Sequence, residues 1–77
     1  MDIKTELKNY ISEQLEAIAS PIFMKKALAA IDEASGEKAS LTDAANKVGK
    51  MVSLFINKDL GREIYAKLKE IIDSELP

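Results

Sequence analysis

Apolar residues recur every three or four positions through almost the whole chain, and only three Gly and two Pro interrupt them. That spacing is the period of an α-helix. With so few breakers the helices must be long and the turns few. No stretch alternates apolar and polar residues as a half-buried strand does, and there is no internal repeat or low-complexity tract. A length of 77 residues leaves room for one domain, spanning 1–77. The expected fold class is all-α, a small four-helix bundle-like domain with short antiparallel connections.

Four helices follow from the period, at about 2–19, 21–34, 41–57 and 59–75. In the first, Ile3, Leu7, Tyr10, Ile11, Leu15, Ala17 and Ile18 share a face, with Asp2 as the expected N-cap and Gln14 set within the apolar arc. Gln14 either fixes register from inside an interface or sits at the seam with its amide in solvent. Ser20-Pro21 ends that helix and opens the next, because the residue before proline resists the α conformation and proline suits N1. Phe23, Met24, Ala27, Leu28, Ala30, Ile31 and Ala34 make the second apolar face, with Gly36 as an αL stop. Phe23, Met24 and Phe55 are expected in the core. Ser40 and Asp43 resemble a capping box opening the third helix. Asn57 in αL geometry and Asp59 as a cap mark the last boundary. The helical phase nearly survives there, so one long bent helix over 41–75 is the alternative. Leu60, Ile64, Leu68, Ile71 and Ile72 form the final stripe.

Composition narrows the chemistry more than it names a function. The chain has no His, Cys or Trp. General acid–base catalysis would fall to carboxylates, Lys or Tyr, and no carboxylate sits in a plainly apolar setting. Zinc lacks ligands, and no EF-hand, P-loop or dinucleotide fingerprint is present. The length is similar to that of acyl carrier proteins, but their Asp-Ser-Leu is absent; "DSEL" at 73–76 lies at the terminus. The expectation is a protein that is not an enzyme, with no cofactor and no metal. The charged start has no apolar signal region, and no run is long enough to span a bilayer, so a cytoplasmic protein with no membrane contact is expected.

Residue 49 separates two functions. "SLTDAANKVG" resembles the first helix and turn of helix-turn-helix domains, with small Ala44 and Ala45 ahead of Gly49. That resemblance implies a DNA reader, and the surrounding charge agrees with it. Residues 46–69 hold Lys47, Lys50, Lys58, Arg62, Lys67 and Lys69 against Asp59 and Glu63, a local net of +4 in a chain of net −2. The apolar phase points the other way. Leu41, Ala44, Ala45, Val48, Met51, Val52, Phe55 and Ile56 fall on one arc of an unbroken helix, and Lys50 stands where the motif carries an apolar residue. Gly49 then lies in a column of small residues with Ala45 and Ser53, where another backbone can come close.

The outer face of this third helix is the candidate interaction surface. Asn46, Lys50, Ser53 and Asn57 form one column, flanked by Lys47, Leu54 and Lys58, with Arg62 beyond. Met24, beside Lys25 and Lys26, offers a second place for a groove. Helices two and four also carry apolar arcs wider than a surface helix needs. The reading that follows is a small non-catalytic protein–protein interaction module, expected to act as a homodimer, with a different protein as the other partner choice. The alternative is a nucleic-acid-binding domain using 46–69.

Overall fold

Ser20 shows how directly one residue sets an element. Its hydroxyl accepts a hydrogen bond from the Phe23 amide at 3.1 Å, and Pro21 follows at the first helical position. The computed structural model describes residues 2–77, and these form four α-helices in chain order. They are α1 (Ile3–Leu15), α2 (Pro21–Glu33), α3 (Lys38–Phe55) and α4 (Lys58–Glu75). No strand occurs among the described residues. The radius of gyration is 11.2 Å, close to the roughly 11.5 Å of a compact globule of this length.

The helices run alternately up and down, each packed on its two neighbours, while the backbones on the diagonals stay apart. Side-chain contacts fix the directions. Lys4 at the start of α1 reaches the carbonyls of Asp32 and Ala34 at the end of α2. Phe23 near the start of α2 meets Phe55 at the end of α3, and Lys38 at the start of α3 pairs with Asp73 near the end of α4.

Among the described residues the core is wholly apolar. Leu7, Ile11 and Leu15 enter it from α1, Leu41, Val48 and Val52 from α3, and Ile64, Leu68 and Ile72 from α4. Burying each is worth about 1.5–3 kcal/mol. α2 sends in only one large side chain, Ile31, with Ala27 and Ala30 beside it. Its larger residues Phe23, Met24 and Leu28 are half-buried and Ile22 is exposed, so α2 holds the bundle least and shows most.

α3 and α4 form the most extensive packed pair. Gly49 lies inside unbroken α3 with no positive φ, so the chain does not turn there. A Cβ at Gly49 would lie 2.9 Å from Tyr65 Cβ and 3.2 Å from the Gly61 carbonyl oxygen. A Cβ at Gly61 would meet the Gly49 carbonyl at 2.6 Å, the Ser53 amide nitrogen at 2.7 Å and the Ser53 hydroxyl. The two glycines remove side chains where the backbones cross, so the small-residue column serves close packing. Gly61 is the partner the sequence reading passed over.

Several expected boundaries are displaced. α1 ends at Leu15, not near Ala19, because the amides of Ile18 and Ala19 both turn back onto the Leu15 carbonyl, at 3.0 and 2.8 Å. Ala17 and Ile18 therefore leave the apolar face and are exposed. Asp2 is extended ahead of α1 but makes no side-chain cap bond, and Gln14 is exposed. Gly36 has no positive φ; α2 closes at Ala34, where Lys4 from α1 supplies the donors an αL glycine motif would have provided. α3 begins at Lys38 rather than 41, and Ser40 accepts from the Ser35 amide at 2.9 Å, which stitches the loop instead of forming a capping box. Asn57 is extended, not αL, and is itself the cap of α4, accepting from the Leu60 amide at 2.9 Å. Asp59 falls inside the first turn. A full break therefore separates α3 from α4, and the single bent helix is excluded.

Candidate interaction surface

The expected surface column does not survive intact as a face free to bind. Asn46, Lys47, Lys50, Leu54, Lys58 and Arg62 are exposed as foreseen. Ser53 is half-buried at the crossing with Gly61, and the Asn57 side chain is engaged at the start of α4. Two of the short polar groups meant to read a partner are thus occupied within the fold.

A different grouping emerges at one end of the bundle. The up–down order brings together the end of α1, the start of α2, the end of α3 and the start of α4. All four large apolar side chains exposed in the described chain lie there: Ile18 at 55%, Ile22 at 71%, Leu54 at 78% and Phe55 at 75%. Phe55 was expected in the core because its wheel position is central. It sits on the last residue of α3, where the bundle leaves its ring uncovered except for an edge contact with Phe23, 6.4 Å between centroids and 71° between planes.

Between α2 and α3 at this end runs a groove of about 230 Å³, lined by Ser20, Ile22, Phe23, Lys26, Met51 and Phe55. Ile22 and Phe23 form one wall, Met51 and Phe55 the other. The helical period places Lys47 one turn before Met51 and Leu54 one turn after Lys50, on the outer edge of the α3 wall. Lys25 and Lys26 follow Ile22 at i+3 and i+4 and flank it on the α2 wall. Met24 is half-buried and takes no part in the lining.

Ion pairing divides the molecule as apolar exposure does. The ion pairs are Lys8–Asp32 at 2.7 Å, Lys38–Asp73 at 3.3 Å, Lys69–Asp73 at 3.0 Å and Lys67–Glu70 at 3.7 Å, all in the half of the bundle away from the groove. There, hydrogen bonds from Lys69 and then Lys38 hold the Asp73 carboxyl below its ordinary pKa, and the bond to Asp73 raises that of Lys69. Lys25, Lys26, Lys47, Lys50, Lys58 and Arg62 make no ion pair with any described carboxylate, and all six lie in the half nearer the groove. Along α2 from 21 to 27 and α3 from 47 to 55, Lys25, Lys26, Lys47 and Lys50 stand without one acidic residue.

A second recess of about 120 Å³ lies at the opposite end, lined by Glu6, Glu70, Ile71, Ser74 and Glu75. Among the described residues no three acids gather closely enough to hold a metal ion. No helix of the described chain is long and apolar enough to cross a membrane.

Sequence reasoning missed Ile18, Ile22 and Phe55 as surface residues. A signal was present for Ile22: on the α2 wheel it falls between Lys25 and Lys26, outside the arc of Ala27 and Ile31. None marked Phe55, whose exposure depends on where its neighbours end. Comparison of the chain with protein-family models, with curated proteins and with solved structures found no match.

Proposed function

We propose that the chain is a small non-catalytic module that binds a protein partner through the groove between α2 and α3. The observation that carries this reading is the gathering of Ile18, Ile22, Leu54 and Phe55 at one end, each more than half exposed. Scattered surface leucines need no explanation, but Ile22 and Phe55 line one groove together and leave most of their apolar surface open. Covering Ile22 and Phe55 would each recover about 1.5–3 kcal/mol of burial that the fold leaves unclaimed. The groove is smaller than the roughly 300–1,000 Å³ of a small-molecule site and suits one or two inserted side chains.

Nucleic-acid binding keeps support from the unpaired cations. Four of the six groove-lining residues are apolar, however, and the short polar side chains that would read base edges include Ser53 and Asn57, which are engaged within the fold. A homodimer through this groove would have two-fold symmetry and would set Lys25, Lys26 and Lys47 near their own copies. The partner we favour is therefore a different protein.

The test compares capture from the organism's own extract by the parent protein and by an Ile22→Asp, Phe55→Asp variant. Both changes lie on exposed side chains and should leave the fold intact. A protein retained by the parent and lost by the variant supports the reading. Identical retention by both would reject the groove. Electrophoretic retardation of duplex DNA at low salt, weakening steeply as salt rises, would favour the nucleic-acid alternative.

A further inference from the structure

We infer that the occupant of the α2–α3 groove is an acidic amphipathic helix of the partner. The inference rests on the groove being a protein-docking surface, and it adds the chemistry of what docks. Two independent features define that chemistry. The walls present apolar side chains from two antiparallel helices, Ile22 and Phe23 facing Met51 and Phe55. A helix laid along such a groove inserts one or two residues, at i and at i+3 or i+4. Lys26 lines the groove and Lys25 and Lys47 border it, none with a carboxylate partner, on helix segments that carry no acid at all. Elsewhere in the molecule lysines do find acids, as Lys8, Lys38, Lys67 and Lys69 do. Along these α2 and α3 segments positive charge is uncompensated where apolar surface is also uncompensated, while the acids of the same end, Glu13, Glu16, Asp59 and Glu63, lie outside them.

The two features set geometry and sign separately. Apolar insertion supplies affinity, while cations on either border select against basic partners and speed the approach of acidic ones. A helix with a leucine stripe and glutamates along both edges matches the groove and its rims at once. An anionic bilayer matches the charge but not the shape, because the apolar residues line a recess between helices. A second copy of the chain would have to offer its own acidic face, along α1 and the start of α4 with Glu13, Glu16, Asp59 and Glu63.

The test uses two synthetic peptides of about 15 residues with the same leucine stripe. One carries Glu along both edges, the other Lys. Each is titrated into the isotopically labelled full chain, with the Ile22 and Met51 methyl resonances and the dissociation constant as readouts. The Glu peptide should bind at least about tenfold more tightly at low salt, move those methyls, and lose its advantage as salt rises. In the Lys25→Glu, Lys26→Glu variant the preference should narrow or invert. That variant should fold, since both side chains are exposed. Equal binding of the two peptides at the groove would overturn the acidic assignment and leave the docking surface standing. Groove methyls unmoved by either peptide would remove both. Tighter binding to anionic vesicles than to the Glu peptide, or a concentration-dependent dimer that protects the groove methyls, would assign the groove to a lipid surface or to a second copy and overturn the inference.

Discussion

A methyl group added at residue 61 has nowhere to go. The Gly49 carbonyl and the Ser53 amide would lie at 2.6 and 2.7 Å, and both are backbone atoms of a helix that cannot step aside alone. Gly61→Ala should therefore force α3 and α4 apart and destabilise the protein by about 3 kcal/mol or more, beyond the usual range for overpacking. Gly49→Ala meets Tyr65 Cβ at 2.9 Å and the Gly61 carbonyl at 3.2 Å, a milder conflict. Alanine also recovers about 1 kcal/mol of helix propensity there. The net cost should be about 1–2 kcal/mol. Denaturant midpoints for the two variants check the order, and with a total stability of roughly 4–11 kcal/mol the first change should be obvious. Gly49 was legible as a notch because apolar residues keep phase on both sides of it. Gly61 was not, since a glycine in the second turn of a helix leaves no mark on the pattern. Only the crossing of two helices makes it necessary.

At the scale of elements, the end of α2 depends on a neighbouring helix, whereas the starts of α2 and α4 depend on their own caps. α2 has no basic residue in its last turn, yet its C-terminal carbonyls of Asp32 and Ala34 receive the ammonium of Lys4 from α1. Lys4→Met keeps the apolar stem and removes the donors. It should cost about 1 kcal/mol and raise amide exchange first at residues 30–34, measured by hydrogen exchange. Ser20 and Asn57 were legible as boundary residues because their caps are local, each accepting from an amide three positions on. Gly36, Ser40 and Asp59 were misread for the complementary reason. Each carries a residue type suited to a cap, but Lys4 closes α2, Asn57 opens α4, and Ser40 is taken up by the loop bond from the Ser35 amide. The four helices themselves were legible throughout, since the period of apolar residues is set by which side faces the core.

The whole molecule has two unlike ends. One is held by ion pairs centred on Asp73, whose carboxyl is kept below its ordinary value of 3.8 by Lys69 and Lys38. A group whose pKa is lower in the folded state adds stability that is present above the unfolded value and is lost as pH falls through the folded one. Acidification from about pH 5 to below pH 3 should thus weaken the α3–α4 contact at this end, and Asp73→Asn should remove that part of the pH dependence. The effect should be small and should shrink in high salt, because these pairs are exposed to solvent. The groove at the other end was only half legible. Lys47 and Lys50 stood out in the charge pattern, but Lys25, Lys26 and the apolar residues beside them did not, because a wheel cannot tell the end of a bundle from its middle.

The central claim is that this second end is where the protein meets its partner. The most direct test is an amide spectrum of the isotopically labelled protein recorded in extract of its own organism and compared with buffer. Binding through the groove predicts selective broadening of residues 18–26 and 47–58, with residues 4–8, 32–38 and 67–75 remaining sharp, and recovery of the lost signals in the Ile22→Asp, Phe55→Asp variant. Uniform line widths along the chain, or broadening confined to the ion-paired end, would contradict it.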